Sequence, residues 1–191
     1  MRDKDLKNVL EHIKCPICNS KKYKIKIFSK YTKLKNKKEL INLYKSSSEN
    51  KVIDQVVRCN QCKLEYLNPR VKEKINTKSY KYVVDKSHLT QNIFRIKTFY
   101  NCLKKIQKKL NIKNLDNKLG LDVGSASGSF LYAAKQLGFK CKGIEPSIWL
   151  TNYGKKKYKV DLHQGTLDTF KFKSKFDIIF FWDVLEHLSN L

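Results

Sequence analysis

Four cysteines stand in two close pairs, Cys15-Pro-Ile-Cys18 and Cys59-Asn-Gln-Cys62. A two-residue spacer lets both thiolates of such a knuckle reach one ion. Two knuckles together complete the closed four-sulfur tetrahedron that zinc takes in structural sites. With no position left open, such a metal would hold the fold and take no part in chemistry. The alternatives are four unrelated buried thiols or a thioredoxin-like redox pair, and the latter motif should open a helix behind a strand. His12 lies nearby, but four cysteines already fill the shell, so it reads as a surface histidine.

A second constellation joins a turn to two carboxylates. The strand-like run Leu119–Val123 stops at Gly124-Ser125-Ala126-Ser127-Gly128, and a helix-like run follows. A strand that opens into such a turn aims backbone N–H groups at a ligand. The dinucleotide fingerprint G-x-G-x-x-G, started at Gly124, reads Gly124, Ala126, Ser129 and fails twice. A G-x-G-x-G turn reads Gly124, Ala126, Gly128 and fails by one methyl group. The phosphate loop is excluded, because no Gly-Lys-Ser/Thr follows. Glu145 ends the next strand, 23 residues after Asp122. A carboxylate there can accept both hydroxyls of an adenosine ribose, which suits a dinucleotide or an adenosyl cofactor.

A third group, Asp183-x-x-Glu186-His187, offers a carboxylate and an imidazole that could take a proton from a nearby hydroxyl. The plainer reading makes Glu186 and His187 the first turn of a helix, with Glu favoured by the helix dipole.

These groups need elements to position them, and the periodicity supplies a set. Residues 1–70 carry the cysteines and the β-prone runs "KYKIKIF" and "KVIDQVVR", which reads as a zinc-ribbon-like module with a hairpin and a loop between the knuckles. Residues 71–118 read as a helical connector. Within it Ile93, Ile96, Phe99/Tyr100, Leu103, Ile106 and Leu110 recur at helical steps, an apolar stripe suited to pack on a sheet. Cys102, near that stripe, is expected as a small core residue. From 119 onward strand and helix alternate: strand 119–123, helix 128–137, strand 141–145, helix 147–156, strand 160–163, strand 176–182. Ser147 suits an N-cap and Gly138 a helix end. The alternation predicts an α/β fold, a Rossmann-like, doubly wound, mostly parallel sheet. "FDIIFFW" is apolar on both faces, as a buried parallel strand must be.

Length allows one medium domain, or a small module with part of another. The net charge of +24 invites a nucleic-acid or membrane partner, yet only four of the 41 basic residues are arginine: Arg2, Arg58, Arg70 and Arg95. Arginine's planar fork is the better phosphate reader, so the charge reads first as a solvated lysine surface. No apolar window is long enough to span a membrane, and the N-terminus has no secretory pattern. Close cysteine pairs then favour a reducing compartment, and the protein is expected to be cytoplasmic.

The successive stretches "LDVGSASGSFLYAAKQLGFKCKGIEPS", "HQGTLDTF" and "FDIIFFWDVLEHL" closely resemble the ordered motifs of class I S-adenosylmethionine-dependent methyltransferases, over about residues 115–191. The segment "CPICNS…VVRCNQCKLEYLNPR" looks like the zinc-binding module that precedes such domains in some bacterial methyltransferases, many of which modify sugars or glycan precursors. The resemblance implies S-adenosyl-L-methionine as cofactor and a sugar, glycan precursor or other small molecule as acceptor. It implies that the turn Gly124, Ser125, Ala126, Gly128 lies under the methionine part, with Asp122 near the amino group or holding the turn. Glu145 would bind the ribose, and Pro146 would flank the adenine. Many relatives carry Asp where Thr166 stands, so Leu167 would supply backbone and apolar contact instead. Trp182 and Asp183 would line the methionine side, and Asp183 and His187 are the candidate catalytic pair.

The family's sheet has seven strands, and the motifs here account for the first four. The expectation is therefore a truncated domain with a missing C-terminal half, an exposed apolar edge strand and weak cofactor binding by this chain alone. Two other functions stay open. One is an RNA methyltransferase whose zinc module and lysines dock nucleic acid, with Tyr23, Phe28 and Tyr31 available to stack on bases. The other is a non-catalytic remnant.

Overall fold

Short antiparallel strands gather around the cysteine knuckles, and a parallel sheet forms from residue 119 onward. The computed structural model describes residues 7–34, 36, 39–40, 53–82, 84, 86–112, 114–173 and 175–188. The chain divides into two units, Met1–Tyr80 and Lys81–Leu191, so the boundary falls inside the stretch expected as a helical connector.

In the first unit β1 (Leu10–Glu11) pairs antiparallel with β5 (Arg70–Val71), and Arg70 Nε meets Glu11 Oε1 at 2.8 Å. A second sheet has the order β2 (Tyr23–Ile27), β3 (Val56–Cys59), β4 (Glu65–Leu67). Alternation in "YKIKI" half-buries Tyr23 and Ile25 and exposes the lysines between them. The register sets Tyr23 opposite Cys59, which brings the second knuckle beside the strand that follows the first. Val9, Tyr31, Leu34, Leu40, Ile53 and Val71 form the apolar core of this unit. Between the knuckles, residues 35, 37–38 and 41–52 lie outside the described residues. Helix α1 (Glu73–Lys81) follows β5.

The second unit begins with α2 (Lys86–Thr90) and α3 (Asn92–Lys109). The alternation expected from 119 onward then appears as β6 (Leu119–Val123), α4 (Ser129–Gln136), β7 (Lys140–Glu145), α5 (Ile148–Tyr158), β8 (Asp161–Gln164) and β9 (Ile178–Phe181). All pairings are parallel, in the order β8-β7-β6-β9. The chain winds outward from β6 to β8 and then crosses back to place β9 on the other side of β6. That reversal is a topological switch point, where open α/β sheets bind ligands at the strands' carboxyl ends.

Leu103 of α3, Phe130 and Leu131 of α4, Leu162 and Phe180 build the core on the helical face of this sheet. Ile96, Phe99, Tyr100 and Ile106 pack against it as the stripe predicts, whereas Ile93 and Leu110 at the two ends of α3 are exposed. Cys102 is half-buried and does not join that core. On the other face Leu121, Val123 and Ile144 lie under Phe170, Phe172, Phe176 and Val184. Ser147 caps α5 by accepting the Leu150 N–H at 3.2 Å, and Gly138 takes a left-handed φ of 73° just after α4. Strand β9 is shorter than the expected 176–182. Just before it, the Asp177 carboxylate is turned to the Leu119 N–H at 2.9 Å and to Lys118 at 3.0 Å. As an edge strand β9 leaves Ile179 and Phe181 exposed. No helix among the described residues is long and apolar enough to cross a membrane.

Candidate functional site

In the first unit the sulfurs of Cys15, Cys18, Cys59 and Cys62 all lie within 4.8 Å of one another. Two approaches cross between knuckles, Cys15 to Cys62 at 3.4 Å and Cys18 to Cys59 at 3.5 Å. A zinc ion with bonds of about 2.3 Å spaces its sulfurs by about 3.8 Å, so the cluster is close to the tetrahedron it needs. Thiolates this near repel one another, and a dication at their centre removes that cost. Both knuckles close alike. Asn19 donates its N–H to Cys15 O at 2.9 Å, and Lys63 donates to Cys59 O at 3.2 Å. Each of these residues follows the second cysteine of its knuckle and has a left-handed φ, 57° and 66°. His12 is not part of the cluster. Tyr66 of β4 has a buried hydroxyl with no partner, and burial together with the charges of Cys15 and Cys59 pushes its pKa up. The sequence carried no signal for Tyr66, because only the β3–β4 pairing brings it near the sulfurs.

In the second unit the turn after β6 is a network of backbone donors. Gly124 and Ser125 both donate N–H to Ile144 O, at 2.9 and 3.0 Å, and Gly128 donates to Ser125 O at 2.8 Å. Ala126 adopts a left-handed φ of 46° and donates its N–H to Glu145 Oε2 at 2.8 Å. The other oxygen, Oε1, accepts the Ser147 N–H at 2.8 Å. Glu145 therefore ties the turn to the entry of α5 with both oxygens. Burial pushes its pKa up to about 7 despite those two N–H groups.

Asp122 is 2% exposed, and its Oδ1 has no partner. Burial, opposed by the Ser125 hydroxyl and reinforced by the charge of Glu145, raises its pKa to about 8. An orphaned, buried carboxyl beside a second acid is suited to a cationic ligand. Space is tight at the turn as well. A Cβ on Gly124 would meet the Val184 methyl at 2.5 Å, and one on Gly154 would meet Ser127 O at 2.6 Å.

The family described as "Methyltransferase domain" matches residues 94–191, just over half of the chain. The chain belongs to this methyltransferase family. Solved structures similar to it include DesVI from Streptomyces venezuelae, 24% identical with a TM-score of 0.40, where the match covers 51% of this chain and 43% of DesVI. YjhP from E. coli is 22% identical with a TM-score of 0.33, and the match covers 43% of this chain and 35% of YjhP. The chain thus spans less than half the length of either structure. No curated protein sequence matches it.

The remaining methyltransferase motifs fall around the same strand ends. Gly165 donates its N–H to Glu145 O at 3.0 Å, and Gln164 Nε2 donates to Pro146 O at 3.2 Å, which draws the end of β8 to the end of β7. Thr166 closes a small turn on Thr169 Oγ1 at 2.8 Å, and Leu167 is left exposed beside it. Trp182 faces the helices, with its ring 5.2 Å from Phe99 and 5.5 Å from Phe130. Asp183, at a left-handed φ of 54°, lines a cavity with Trp182 and α3. His187 closes a 3-10 turn, Leu185–His187, outside that lining, and donates its N–H to Val184 O at 2.9 Å.

Sequence reasoning missed Asn92. It is 2% exposed at the start of α3, and its Oδ1 accepts the hydroxyls of Ser127 at 3.0 Å and Ser129 at 3.1 Å. The helix read as mere packing therefore also grips the turn after β6.

Proposed function

We propose that the chain is the donor-binding part of an S-adenosylmethionine-dependent methyltransferase, that its acceptor is a sugar, glycan precursor or other small molecule, and that its four cysteines hold a structural zinc ion in a cytoplasmic protein. One observation supports the donor-binding part of this reading: the Glu145–Ala126 bond, which joins two strand ends at the switch point of a parallel sheet in a methyltransferase-family chain.

S-adenosylmethionine held by these residues would supply an activated methyl group for a nucleophilic atom of the acceptor, its sulfur keeping the electron pair of the broken bond and the acceptor's proton passing to a base or water. The residues here position and shield. Glu145 keeps lone pairs beyond its two N–H contacts to accept ribose hydroxyls. Asp122 offers the cofactor's ammonium a buried carboxylate oxygen, Oδ1, that has no partner among the described residues. Pro146 and Leu167 give the adenine an apolar rim. Ser125 and Gly128 shape the backbone under the methionine part, and Gly124 lets Val184 close over the turn. Asp183 is the base best placed to take the acceptor's proton, because it lines a cavity with α3 and precedes Val184, which sits against the turn.

Backbone amide mapping of the full chain by NMR tests the reading. S-adenosylmethionine in excess should shift the amides of residues 124–128 and 145–147, while NAD should not. Shifts from NAD equal to those from S-adenosylmethionine, or no shifts in the turn, would overturn it.

A further inference from the structure

Within the Lys81–Leu191 unit, α3 and the end of β9 border an open cavity of about 620 Å³, inside the range of roughly 300–1,000 Å³ usual for small-molecule sites. One wall is a single face of α3 carrying Phe94, Arg95 and Phe99, and the other is Trp182 with Asp183. Both walls are anchored on the cofactor turn. Asn92 binds Ser127 and Ser129 close to Phe94, and Val184, next to Asp183, sits against Gly124. Two lining residues, Gln91 and Asp183, thus adjoin in sequence residues that contact the turn, Asn92 and Val184.

Its chemistry is specific. Phe94 is 73% exposed at the cavity although it is a large apolar ring. Arg95 is the one arginine of this unit, in a chain that otherwise spends lysine on its surface. Among the described residues no carboxylate forms an ion pair with it. Its Nε–H is buried without an acceptor, and so is the Nε1–H of Trp182. Each such donor costs roughly 1–3 kcal/mol until something accepts from it. A planar guanidinium left unpaired next to aromatic rings is suited to a carboxylate or phosphate borne on a flat or apolar body. Asp183 lines the same cavity without forming an ion pair with Arg95, so the site carries both a cationic and an anionic group.

Resting on the methyltransferase reading above, we propose that this cavity is the acceptor subsite and that it takes a small molecule carrying a carboxylate or phosphate. Arg95 holds the anionic group, and Phe94 with Trp182 supports the ring or apolar part. Asp183 accepts a hydrogen bond from the hydroxyl or amine to be methylated.

The test titrates the full chain with phenyl phosphate, benzoate and neutral benzyl alcohol, following the Trp182 indole N–H and the amides of residues 94–99 by NMR. Expected are shifts with one or both anions and none with the alcohol; whichever anion binds more tightly identifies the group. Arg95→Ala should weaken that binding at least about tenfold, the loss of a charge-assisted bond. Arg95→Lys should recover only part of it. Phe94→Ala, at an exposed position, keeps the test valid if the Arg95 variants fail to fold, and it should weaken all aromatic anions. Equal shifts from the alcohol and the anions, or unchanged anion binding in Arg95→Ala, would overturn the proposal. S-adenosylmethionine in parallel separates the two readings. If it shifts the turn while no anion binds, only the acceptor subsite fails. If anions bind at Arg95 while S-adenosylmethionine leaves the turn untouched, the methyltransferase reading fails.

Discussion

Glu145 Oε2 accepts the backbone N–H of Ala126 at 2.8 Å across the ends of two neighbouring strands. A residue expected to bind a ribose thus braces the turn after β6. Glu145→Gln would keep one acceptor but turn an amide N–H₂ toward either Ala126 N–H or Ser147 N–H. Losing a charge-assisted bond of this kind costs roughly 1.5–3 kcal/mol. Chemical denaturation followed by tryptophan fluorescence should show that loss, because both tryptophans, Trp149 and Trp182, lie in the Lys81–Leu191 unit. Unchanged stability would mean that the brace is dispensable.

The two buried acids predict an unusual pH profile. Folding raises Asp122 from 3.8 to about 8 and Glu145 from 4.5 to about 7. Between those limits the native state holds more protons than the unfolded chain, so stability falls as pH rises. The decline starts near the unfolded values and levels off above about pH 8. Thermal melts by tryptophan fluorescence should therefore show a falling midpoint from weakly acidic to weakly basic pH, and Asp122→Asn should flatten most of the slope. A cationic ligand favours the ionised acids. Affinity for S-adenosylmethionine should accordingly rise over the same interval, with protons released on binding. A flat melting profile in the unsubstituted chain would contradict the burial argument.

For the knuckles the expected result is one zinc per chain by elemental analysis, removed together with structure in the Met1–Tyr80 unit by a strong chelator. Cys18→Ser should reduce zinc retention, since its sulfur lies 3.5 Å from Cys59 within the cluster. Because the tryptophans lie in the other unit, far-ultraviolet dichroism reports this loss while tryptophan fluorescence reports the remainder. Full zinc occupancy in Cys18→Ser would show that the four sulfurs do not act as one shell.

Much of the second unit was legible because its signals are local. The apolar runs, the Gly124–Gly128 turn, the Ser147 cap and Glu145 at a strand end each announce themselves within a few residues. What escaped depends on contacts across the fold. Gly154 looks like a weak spot in a helix, yet its missing Cβ lets α5 approach Ser127 O. Asn19 and Lys63 adopt left-handed turns that a glycine would have advertised; asparagine hints at such a turn, and lysine gives no hint. Ala126 was visible as a departure of one methyl group, but only its φ of 46° shows that the departure falls where a Cβ is disfavoured. Arg95 and Trp182 become a site only when α3 and β9 meet.

Asn92 gives the sharpest test of the grip on the turn. Its Oδ1 accepts both the Ser127 and Ser129 hydroxyls, and those hydroxyls also lie 3.2 Å from each other. After Asn92→Ala one hydroxyl can still donate to the other, which leaves one buried donor without an acceptor. The cost should be roughly 1–3 kcal/mol, about one unsatisfied group. Replacing both serines by alanine removes the donors themselves, so adding Asn92→Ala to that background should cost much less. The double-mutant cycle isolates this coupling from the cavity that truncation leaves behind. A combined loss well short of the sum of the separate losses would establish that α3 holds the turn after β6 through these bonds. Additive losses would mean that the helix is held by its apolar stripe alone and that Asn92 is incidental to the turn.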